Sequence, residues 1–202
     1  MIAPTLHEIF EEWKKNGDAR TTWTLHWEHI WSEHIATYLS LGWHLMPIAP
    51  RSKKPLDHYK WDVAKPLDQV RALDFMRAGC NIAVVAGPSR LVILDFDSEI
   101  APELHDMAHL TMTARTPRGY QFYTGADISL GGQLYARYVS RLKRRFPNMD
   151  SPRVNVMYAL VPPSQSDRNN EEGEKTDYRV RLWIPGAPEK PIAFSRFVRI
   201  AT

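Results

Sequence analysis

Two aspartates at the end of an apolar run are the residues of this chain whose spacing indicates chemistry. Residues 91–94 are consecutive large aliphatics, which predict a strand buried on both faces, and Asp95 and Asp97 follow at its far end. Residues i and i+2 of a strand point to the same face, so we expect the two carboxylates side by side. Adjacent carboxylates repel each other, and a divalent cation such as Mg²⁺ or Mn²⁺ between them removes that repulsion. The alternative interpretation is a strand that runs into a loop whose acids are only solvated.

Two arginines flank a hairpin that is predicted soon after these acids. The hairpin covers residues 111–123, with a tight turn at 117–119; Arg115 lies just before this turn and Arg118 lies within it. We expect both arginines to lie within reach of a ligand that is bound at the two aspartates.

A second basic feature is a stripe along a helix predicted at residues 133–146. Arg137, Arg141 and Arg145 recur every four residues on one side, while apolar side chains face the core from another. Such a stripe either follows a phosphate backbone or is an ordinary solvated face.

Composition limits the classes of protein to which this chain can belong. It has 202 residues, 44% of them hydrophobic, which suffice for one sizeable core with a small appendage. The formal net charge of +3 permits nucleic-acid binding without demonstrating it. The single cysteine excludes an intramolecular disulfide framework and a cysteine-rich zinc site. No signal peptide and no membrane-spanning run is recognisable, so a cytoplasmic location and no membrane partner are expected.

Periodicity predicts the elements that position the acids. Apolar stripes indicate helices, and short apolar or alternating runs indicate strands. His26, His29 and His34 lie on one of these helices and are interpreted as core packing or a solvated rim rather than metal ligands. The two strands before Asp97 are separated only by residues 88–90, which predicts a hairpin. The predicted helices cover residues 5–16, 24–41, 68–77 and 101–109, the strands cover 43–50, 81–87, 91–97, 154–161 and 178–184, and residues 165–177 form a surface loop or hairpin tip.

The order of these features resembles the prim-pol domain found at the N-terminus of bifunctional DNA primase-polymerases, within the archaeo-eukaryotic primase superfamily. The similarity covers roughly residues 35–184 and rests on an ordered set of short motifs. In order, these are Gly42-Trp43, Lys53-Lys54-Pro55, Trp61, Asn81-Ile82-Ala83-Val84, Gly87, Leu94-Asp95-Phe96-Asp97, Arg115-Thr116-Pro117-Arg118-Gly119-Tyr120, Val161-Pro162-Pro163-Ser164 and Tyr178.

The resemblance implies an α+β (mixed α/β) fold of the archaeo-eukaryotic primase type. Its catalytic domain is expected to have a largely antiparallel or mixed sheet flanked by helices. Residues 1–34 are then a helical N-terminal extension, residues 35–184 the catalytic domain and residues 185–202 a C-terminal tail.

The resemblance also implies an activity, namely metal-dependent, template-directed nucleotidyl transfer by a DNA primase/polymerase that replicates a plasmid, phage or similar element. The implied cofactor is Mg²⁺ or Mn²⁺, and the implied partners are a single-stranded DNA template, nucleoside triphosphates and a replicative helicase. The implied metal ligands and catalytic residues are Asp95, Asp97 and Asp150. Nucleotide or phosphate binding is assigned to Arg115, Arg118, Gln121, Lys53, Lys54 and Ser164, and template binding to Trp61, Tyr120, Arg137, Arg141 and Arg145.

Two positions depart from the family pattern. The family usually has a histidine in the strand after the glycine turn, and this chain has Gln121, which can donate a neutral hydrogen bond but supplies no charge. The family also places a third acid two residues ahead of an arginine, and here Ser151 takes that place ahead of Arg153 while Asp150 is one residue earlier. A slip of one residue turns a strand side chain to the other face, so Asp150 can serve only if the backbone is bulged or loop-like.

Two other functions are compatible with the same residues. One is a catalytically weakened prim-pol-like module that binds nucleic acid or nucleotide. The other is a metal-dependent nuclease that uses the same acids.

Overall fold

A computed structural model of the chain describes residues 25–50, 52–56, 65–96, 106–116, 119–169 and 175–202. The predicted helix at 5–16 and most of the one at 101–109 lie outside these residues, as do the side chains of Trp61, Asp97 and Arg118. Within the described part, no helix is both long enough and apolar enough to cross a membrane.

The described chain alternates short strands with four α-helices. The helices are α1 (Leu25–Ser40), α2 (Gln69–Arg77), α3 (Gln133–Arg145) and α4 (Phe194–Ala201). The strands are β1 (Leu45–Ile48), β2 (Asn81–Val85), β3 (Leu91–Phe96), β4 (Met112–Arg115), β5 (Tyr120–Gly125), β6 (Tyr158–Leu160), β7 (Gln165–Asn169), β8 (Lys175–Val180) and β9 (Leu182–Trp183).

These strands form two antiparallel sheets and a separate hairpin. The first sheet has the order β1-β2-β6, the second has the order β3-β5-β4-β9, and β7 pairs only with β8 among the described strands. The mixed α/β class with antiparallel sheets flanked by helices is therefore confirmed. The hairpin predicted at residues 111–123 is confirmed as β4 and β5. Residues 165–177, which were predicted as a surface loop or a hairpin tip, instead contain strand β7 and the start of strand β8, and these two strands pair with each other.

The prediction that β2 and β3 form a hairpin is wrong. Strand β2 pairs with β1 and β6, whereas β3 belongs to the second sheet. The connection closes on itself as one helical turn, in which Leu91 N–H donates to Ala86 O at 2.9 Å and Arg90 N–H to Gly87 O at 2.8 Å. Arg90 has φ +53°, the left-handed conformation that ends such a turn. This turn sends the chain from one sheet to the other instead of folding it back.

The long strand predicted over residues 154–161 is also wrong, because the chain crosses between the sheets there. Arg153 pairs with Ile93 of the second sheet, and strand pairing with β2 of the first sheet begins only at Tyr158. Between them Asn155 has φ +53°, and its carbonyl oxygen accepts the Gly87 N–H at 2.6 Å. A Cβ at Gly87 would lie 2.6 Å from that oxygen, so only glycine allows this approach.

The strand predicted over residues 178–184 is interrupted at Arg181. Strand β8 ends at Val180, and β9 begins at Leu182 and pairs with β4 in the second sheet. Arg181 itself is buried, and its N–H donates to Ser164 O at 3.0 Å. The break therefore moves the chain from the hairpin into the second sheet.

Strand β3 is buried on both faces, as its aliphatic run predicts. Leu91 and Ile93 face a first core, which also contains Trp31, Ile35 and Tyr38 of α1. Val92, Leu94 and Phe96 face a second core that includes residues of β5, α3 and α4. Since side chains alternate along a strand, Asp95 continues the row that faces the first core.

The segment predicted as a C-terminal tail, residues 185–202, contains helix α4. Phe194, Phe197 and Val198 of this helix are fully buried in the second core. Asp127 caps its first turn, with Oδ1 accepting the Ser195 N–H at 3.0 Å and Oδ2 accepting the Ser195 hydroxyl at 2.5 Å. The helix is thus part of the packed fold, while the domain limits at 34 and 184 stay predictions.

Candidate functional site

Asp95 is the buried acid around which the candidate site is built. It lies next to the last residue of β3, directly opposite Gln121 of β5. Only 12% of its side chain is exposed. A carboxylate this buried must be compensated by hydrogen bonds or by an opposite charge. The groups that contact Asp95 therefore define the candidate site.

A β-bulge brings Asp150 to the same end of β3. Met149 pairs with Phe96 and Arg153 with Ile93, so three residues oppose only two of β3 between these pairs. The Asp150 N–H donates to Asp95 O at 3.0 Å. The bulged backbone that Asp150 requires for a place beside Asp95 is therefore present, and the exposed Asp150 side chain is open to a ligand.

Ser151, which stands at the spacing of the family acid, is turned toward helix α3. Its hydroxyl accepts a hydrogen bond from Lys143 Nζ at 3.3 Å. This contact also places the C-terminal end of α3 next to the segment that carries Asp150.

Arg153 compensates the charge of Asp95 and joins the two sheets. Its Nη2 lies 3.0 Å from Asp95 Oδ2, and its Nη1 donates to Tyr158 O at 3.4 Å. Arg153 is 31% exposed and Asp95 is 12% exposed, so solvent screens this pair only in part. The sequence interpretation used Arg153 only as a marker of position, although an arginine near a predicted acid site is itself a signal.

Gln121 connects Asp95 to a buried tyrosine. Its Nε2 donates to Asp95 Oδ2 at 3.4 Å, and its Oε1 accepts from the Tyr123 hydroxyl at 2.6 Å. Burial raises the pKa of Tyr123, although the nearby Arg181 opposes this effect, so the phenol stays protonated and remains a donor at neutral pH. Tyr123 was missed in the sequence, where its spacing of two from Gln121 places both side chains on one face of β5.

The carboxylate oxygens at this end of β3 are of the kind that a hard divalent cation prefers. Asp95 and Asp150 are two of the three expected acids, and Asp97 lies outside the described residues. Among the residues that are described, no three His, Cys, Asp or Glu side chains group together as a cation site. The described pair therefore fits part of a Mg²⁺ or Mn²⁺ site, in which a cation would compete with Arg153 for Asp95.

Arg115 packs over the ring of Tyr120 at the end of the β4–β5 hairpin. Its Cζ lies 4.8 Å from the ring centroid, and its Nη1 is buried without a hydrogen-bond partner among the described residues. Tyr120 is only 2% exposed, so its ring offers no open face on which a template base could stack. Arg115 thus remains suited to an anionic ligand, whereas the placement of Tyr120 does not support template stacking.

The basic loop that contains Lys53 and Lys54 is attached to the site through backbone groups. Both lysine side chains are exposed. The Tyr158 hydroxyl donates to Lys53 O at 3.0 Å, and Tyr158 O is the acceptor for Arg153. A short chain of hydrogen bonds therefore leads from this loop to Asp95.

Ser164 was predicted to bind phosphate, but its side chain lies inside the protein. Its side chain is fully buried, and its hydroxyl donates to Ile82 O at 2.8 Å and accepts the Ile82 N–H at 3.2 Å. It satisfies both backbone groups of one β2 residue. Nothing in this placement supports contact with a phosphate.

Helix α3 presents the predicted stripe of arginines. Arg137, Arg141 and Arg145 are exposed, Leu142 is buried, and the helix contains no acidic residue. Helix α4 packs against it, with the Phe194 ring 5.9 Å from that of Tyr135.

Helix α4 adds basic residues that the sequence interpretation missed. Arg196 and Arg199 are exposed, and α4 also has no acidic residue. The signal that could have revealed this helix is the apolar spacing of residues 194, 197, 198 and 201.

The solved structures that are similar to this chain include two of the primase RepB'. The chain shares 15% identity and a TM-score of 0.47 with the crystal structure of primase RepB', over 85% of this chain and 62% of that one. With the catalytic domain of primase Repb' in complex with initiator DNA it shares 16% identity and a TM-score of 0.44, over 85% and 93% of the respective chains. The chain therefore spans less than two thirds of the first of these structures.

Comparison with families gave a match that covers most of the chain. No sequence among curated proteins matched. The model of the family described as "Bifunctional DNA primase/polymerase, N-terminal" matches residues 35–190, well over half of the sequence. Together with the bulged acid site at the end of β3, this match shows that the chain belongs to the prim-pol family.

Proposed function

We propose that this chain is a DNA primase/polymerase that carries out metal-dependent, template-directed nucleotidyl transfer in the replication of a plasmid, phage or similar element. The observation that carries the proposal is the backbone hydrogen bond of 3.0 Å between Asp150 N–H and Asp95 O. It joins two acids that are distant in sequence at one end of a rigid, doubly buried strand. Acids held on such an element keep the fixed geometry that phosphoryl transfer requires.

The proposed cation ligands are Asp95, Asp97 and Asp150. A bound Mg²⁺ or Mn²⁺ would neutralise phosphate charge and help to orient the attacking 3′-oxygen. Before a cation binds, Gln121 and Arg153 both donate to Oδ2 of Asp95, at 3.4 Å and 3.0 Å, and these converging donors restrict rotation of the carboxylate. A cation would displace the Arg153 guanidinium, and the Gln121 amide would then remain to hold the carboxylate.

The proposed binding site for the nucleoside triphosphate combines Arg115 and Arg118 with Lys53 and Lys54. A triphosphate carries several negative charges, and guanidinium groups bind phosphate oxygens through paired hydrogen bonds. The buried Nη1 of Arg115 supports this assignment, because it has no hydrogen-bond partner among the described residues.

The proposed path of the single-stranded DNA template runs along the basic side of α3. Arg137, Arg141 and Arg145 would contact phosphates, and Trp61 would stack on a base. The contact between Lys143 and Ser151 supports this path, since it brings the end of α3 to the segment of Asp150. Unwinding of duplex DNA would be supplied by a replicative helicase as a partner.

A second candidate function is a catalytically weakened module that binds nucleic acid or nucleotide. The observation that favours it is the ion pair between Arg153 and Asp95 at 3.0 Å, which occupies a proposed cation ligand. The neutral Gln121 also supplies no positive charge to a triphosphate.

One assay separates the candidates. The purified chain is incubated with single-stranded DNA, labelled nucleotides and Mg²⁺ or Mn²⁺, with and without a primer. New or extended strands that disappear in Asp95→Ala support the polymerase. Template binding without synthesis by the wild-type protein supports the binding module, and degradation of the template would indicate a metal-dependent nuclease instead.

A further inference from the structure

Tyr123, Gln121 and Asp95 form a line of hydrogen bonds across strands β5 and β3. The Tyr123 hydroxyl lies 2.6 Å from Gln121 Oε1, and Gln121 Nε2 lies 3.4 Å from Asp95 Oδ2. All three side chains are buried. The proposed catalytic chemistry assigns no role to Tyr123.

The direction of this line follows from which groups can donate. A tyrosine hydroxyl carries one proton, and a glutamine amide has an accepting oxygen and a donating nitrogen. Because Tyr123 donates to Oε1, the amide nitrogen of Gln121 faces the carboxylate of Asp95. The opposite orientation would set the amide oxygen against that carboxylate, which is repulsive.

The position of the Tyr123 hydroxyl is itself fixed by packing. The Tyr123 ring stacks on Trp43 with centroids 5.2 Å apart, and meets Trp183 edge-on, also at 5.2 Å. The hydroxyl also lies 3.2 Å from Leu160 O in the first sheet, which is a longer contact than the one to Gln121. A ring clamped on two sides gives the hydroxyl a single place from which to donate.

We propose that Tyr123 is a positioning residue that acts through Gln121 to hold the carboxylate of Asp95 in the orientation required for cation binding. The consequence for the cation rests on the proposed function, whereas the hydrogen-bond line itself does not. The two parts therefore need separate measurements on the full chain.

The first measurement is NMR of the Gln121 side-chain amide in protein without metal. Tyr123→Phe removes only the donor, so the amide signals of Gln121 should shift and broaden. The matched control is Thr124→Val, which removes another buried hydroxyl of β5, one that donates to Val92 O at 2.7 Å on the other face of the strand. Unchanged Gln121 signals in Tyr123→Phe, or an equal change in both variants, would overturn the proposal.

The second measurement is the affinity for Mn²⁺ in a double-mutant cycle. Tyr123→Phe should weaken binding about threefold to tenfold, the effect of one lost hydrogen bond. In the Gln121→Met background the same substitution should cause no further loss. An equal loss in both backgrounds would show that Tyr123 does not act through Gln121.

The two proposals fail in different ways. If Asp95→Asn binds Mn²⁺ as well as the wild type does, the cation site of the proposed function is wrong, and so is the consequence for the cation. In that case the NMR signals of the Gln121 amide still test whether Tyr123 acts on Asp95 through Gln121.

Discussion

The N–H of Asp150 donates to the carbonyl oxygen of Asp95 at 3.0 Å, across a bulge that inserts one extra residue opposite β3. The expected spacing places Ser151 at the position of the family's third acid, but the Ser151 hydroxyl contacts Lys143. The bulge places the backbone of Asp150 beside Asp95, so we propose Asp150 as the third acid instead. Bulges that re-aim a side chain are common beside active sites.

The first prediction concerns which of these two residues is the third acid. Asp150→Asn should lower nucleotide incorporation roughly 100-fold or more, because it removes a proposed cation ligand. Ser151→Ala should stay within about twofold, since its hydroxyl contacts only Lys143 in the described structure. Steady-state incorporation with Mn²⁺ measures both.

A swap variant provides the matched control for this prediction. Asp150→Ser combined with Ser151→Asp keeps composition and charge but moves the carboxylate toward α3. This variant should be as inactive as Asp150→Asn. Substantial activity in the swap variant would mean that the position of the acid on the bulge does not matter.

The second prediction concerns competition between Arg153 and a cation. Arg153→Gln removes the ion pair of 3.0 Å to a carboxylate that is only 12% exposed, which should lower the free energy of unfolding by roughly 1–3 kcal/mol. Mn²⁺ should then raise the melting temperature of Arg153→Gln more than that of the wild type, because the cation no longer displaces a guanidinium.

The control for this competition is the double variant Arg153→Gln, Asp95→Asn. It lacks the carboxylate, so Mn²⁺ should not stabilise it beyond any effect of the remaining acids. Equal shifts for all three proteins in thermal unfolding would contradict binding of the cation at Asp95.

Local patterns in the sequence predicted most individual elements of the fold. The apolar stripes of α1 and α3 appear as expected, and helix α2 begins after Asp68, whose side chain accepts the Arg71 N–H at 2.9 Å. Hydrogen bonds within a helix join near neighbours, so the sequence nearby contains the information that specifies them.

Pairing between strands could not be predicted in the same way. Strand β2 pairs with β6, more than seventy residues later in the chain. The turn at Arg90 and the crossing at Asn155 depend on positive φ angles, a conformation that is uncommon for residues other than glycine. The bulge at Asp150 arises from pairing with β3, which lies far away in the sequence. The sequence could therefore show only that Asp150 needs a bulge, and not that the bulge forms.

The third prediction tests the close contact of Gly87 with Asn155, where the chain passes from one sheet to the other. Gly87→Ala would place a Cβ 2.6 Å from Asn155 O, and it should destabilise the protein by roughly 2–3 kcal/mol. Gly79→Ala is the matched control, because Gly79 has φ +81° but nothing within 4 Å of its Cβ position. That variant should lose only about 1 kcal/mol through backbone strain. Equal losses in chemical denaturation would exclude a steric role for Gly87.

The fourth prediction concerns stability below neutral pH. Burial lowers the pKa of His34 to about 4, with a smaller opposing effect from Glu33. The unfolded chain therefore takes up this proton near pH 6.5 while the folded chain does not, so the free energy of unfolding falls as pH decreases from 6.5 toward 4. At pH 5 this loss should be about 2 kcal/mol.

The variant that tests this effect is His34→Gln, which has no titrating ring. Its free energy of unfolding, measured with urea at pH 7.5 and pH 5, should fall about 2 kcal/mol less than that of the wild type. If the free energy of unfolding falls as much in His34→Gln as in the wild type between pH 7.5 and pH 5, other groups cause the acid sensitivity.

The fifth prediction decides between a template path along α3 and an ordinary solvated face. Arg137→Gln combined with Arg141→Gln should weaken binding of single-stranded DNA and reduce the slope of log affinity against log salt by up to about 1.4, or about 0.7 for each lost phosphate contact. The matched control combines Lys65→Gln with Arg71→Gln, which removes the same charge from other exposed positions. Fluorescence anisotropy over a range of NaCl concentrations gives both slopes.

The comparison of the two double variants has two outcomes. If both lose equal affinity, only the net charge of the protein matters and α3 does not guide the template. A loss confined to the α3 variant locates the DNA beside the helix whose Lys143 reaches the segment of Asp150.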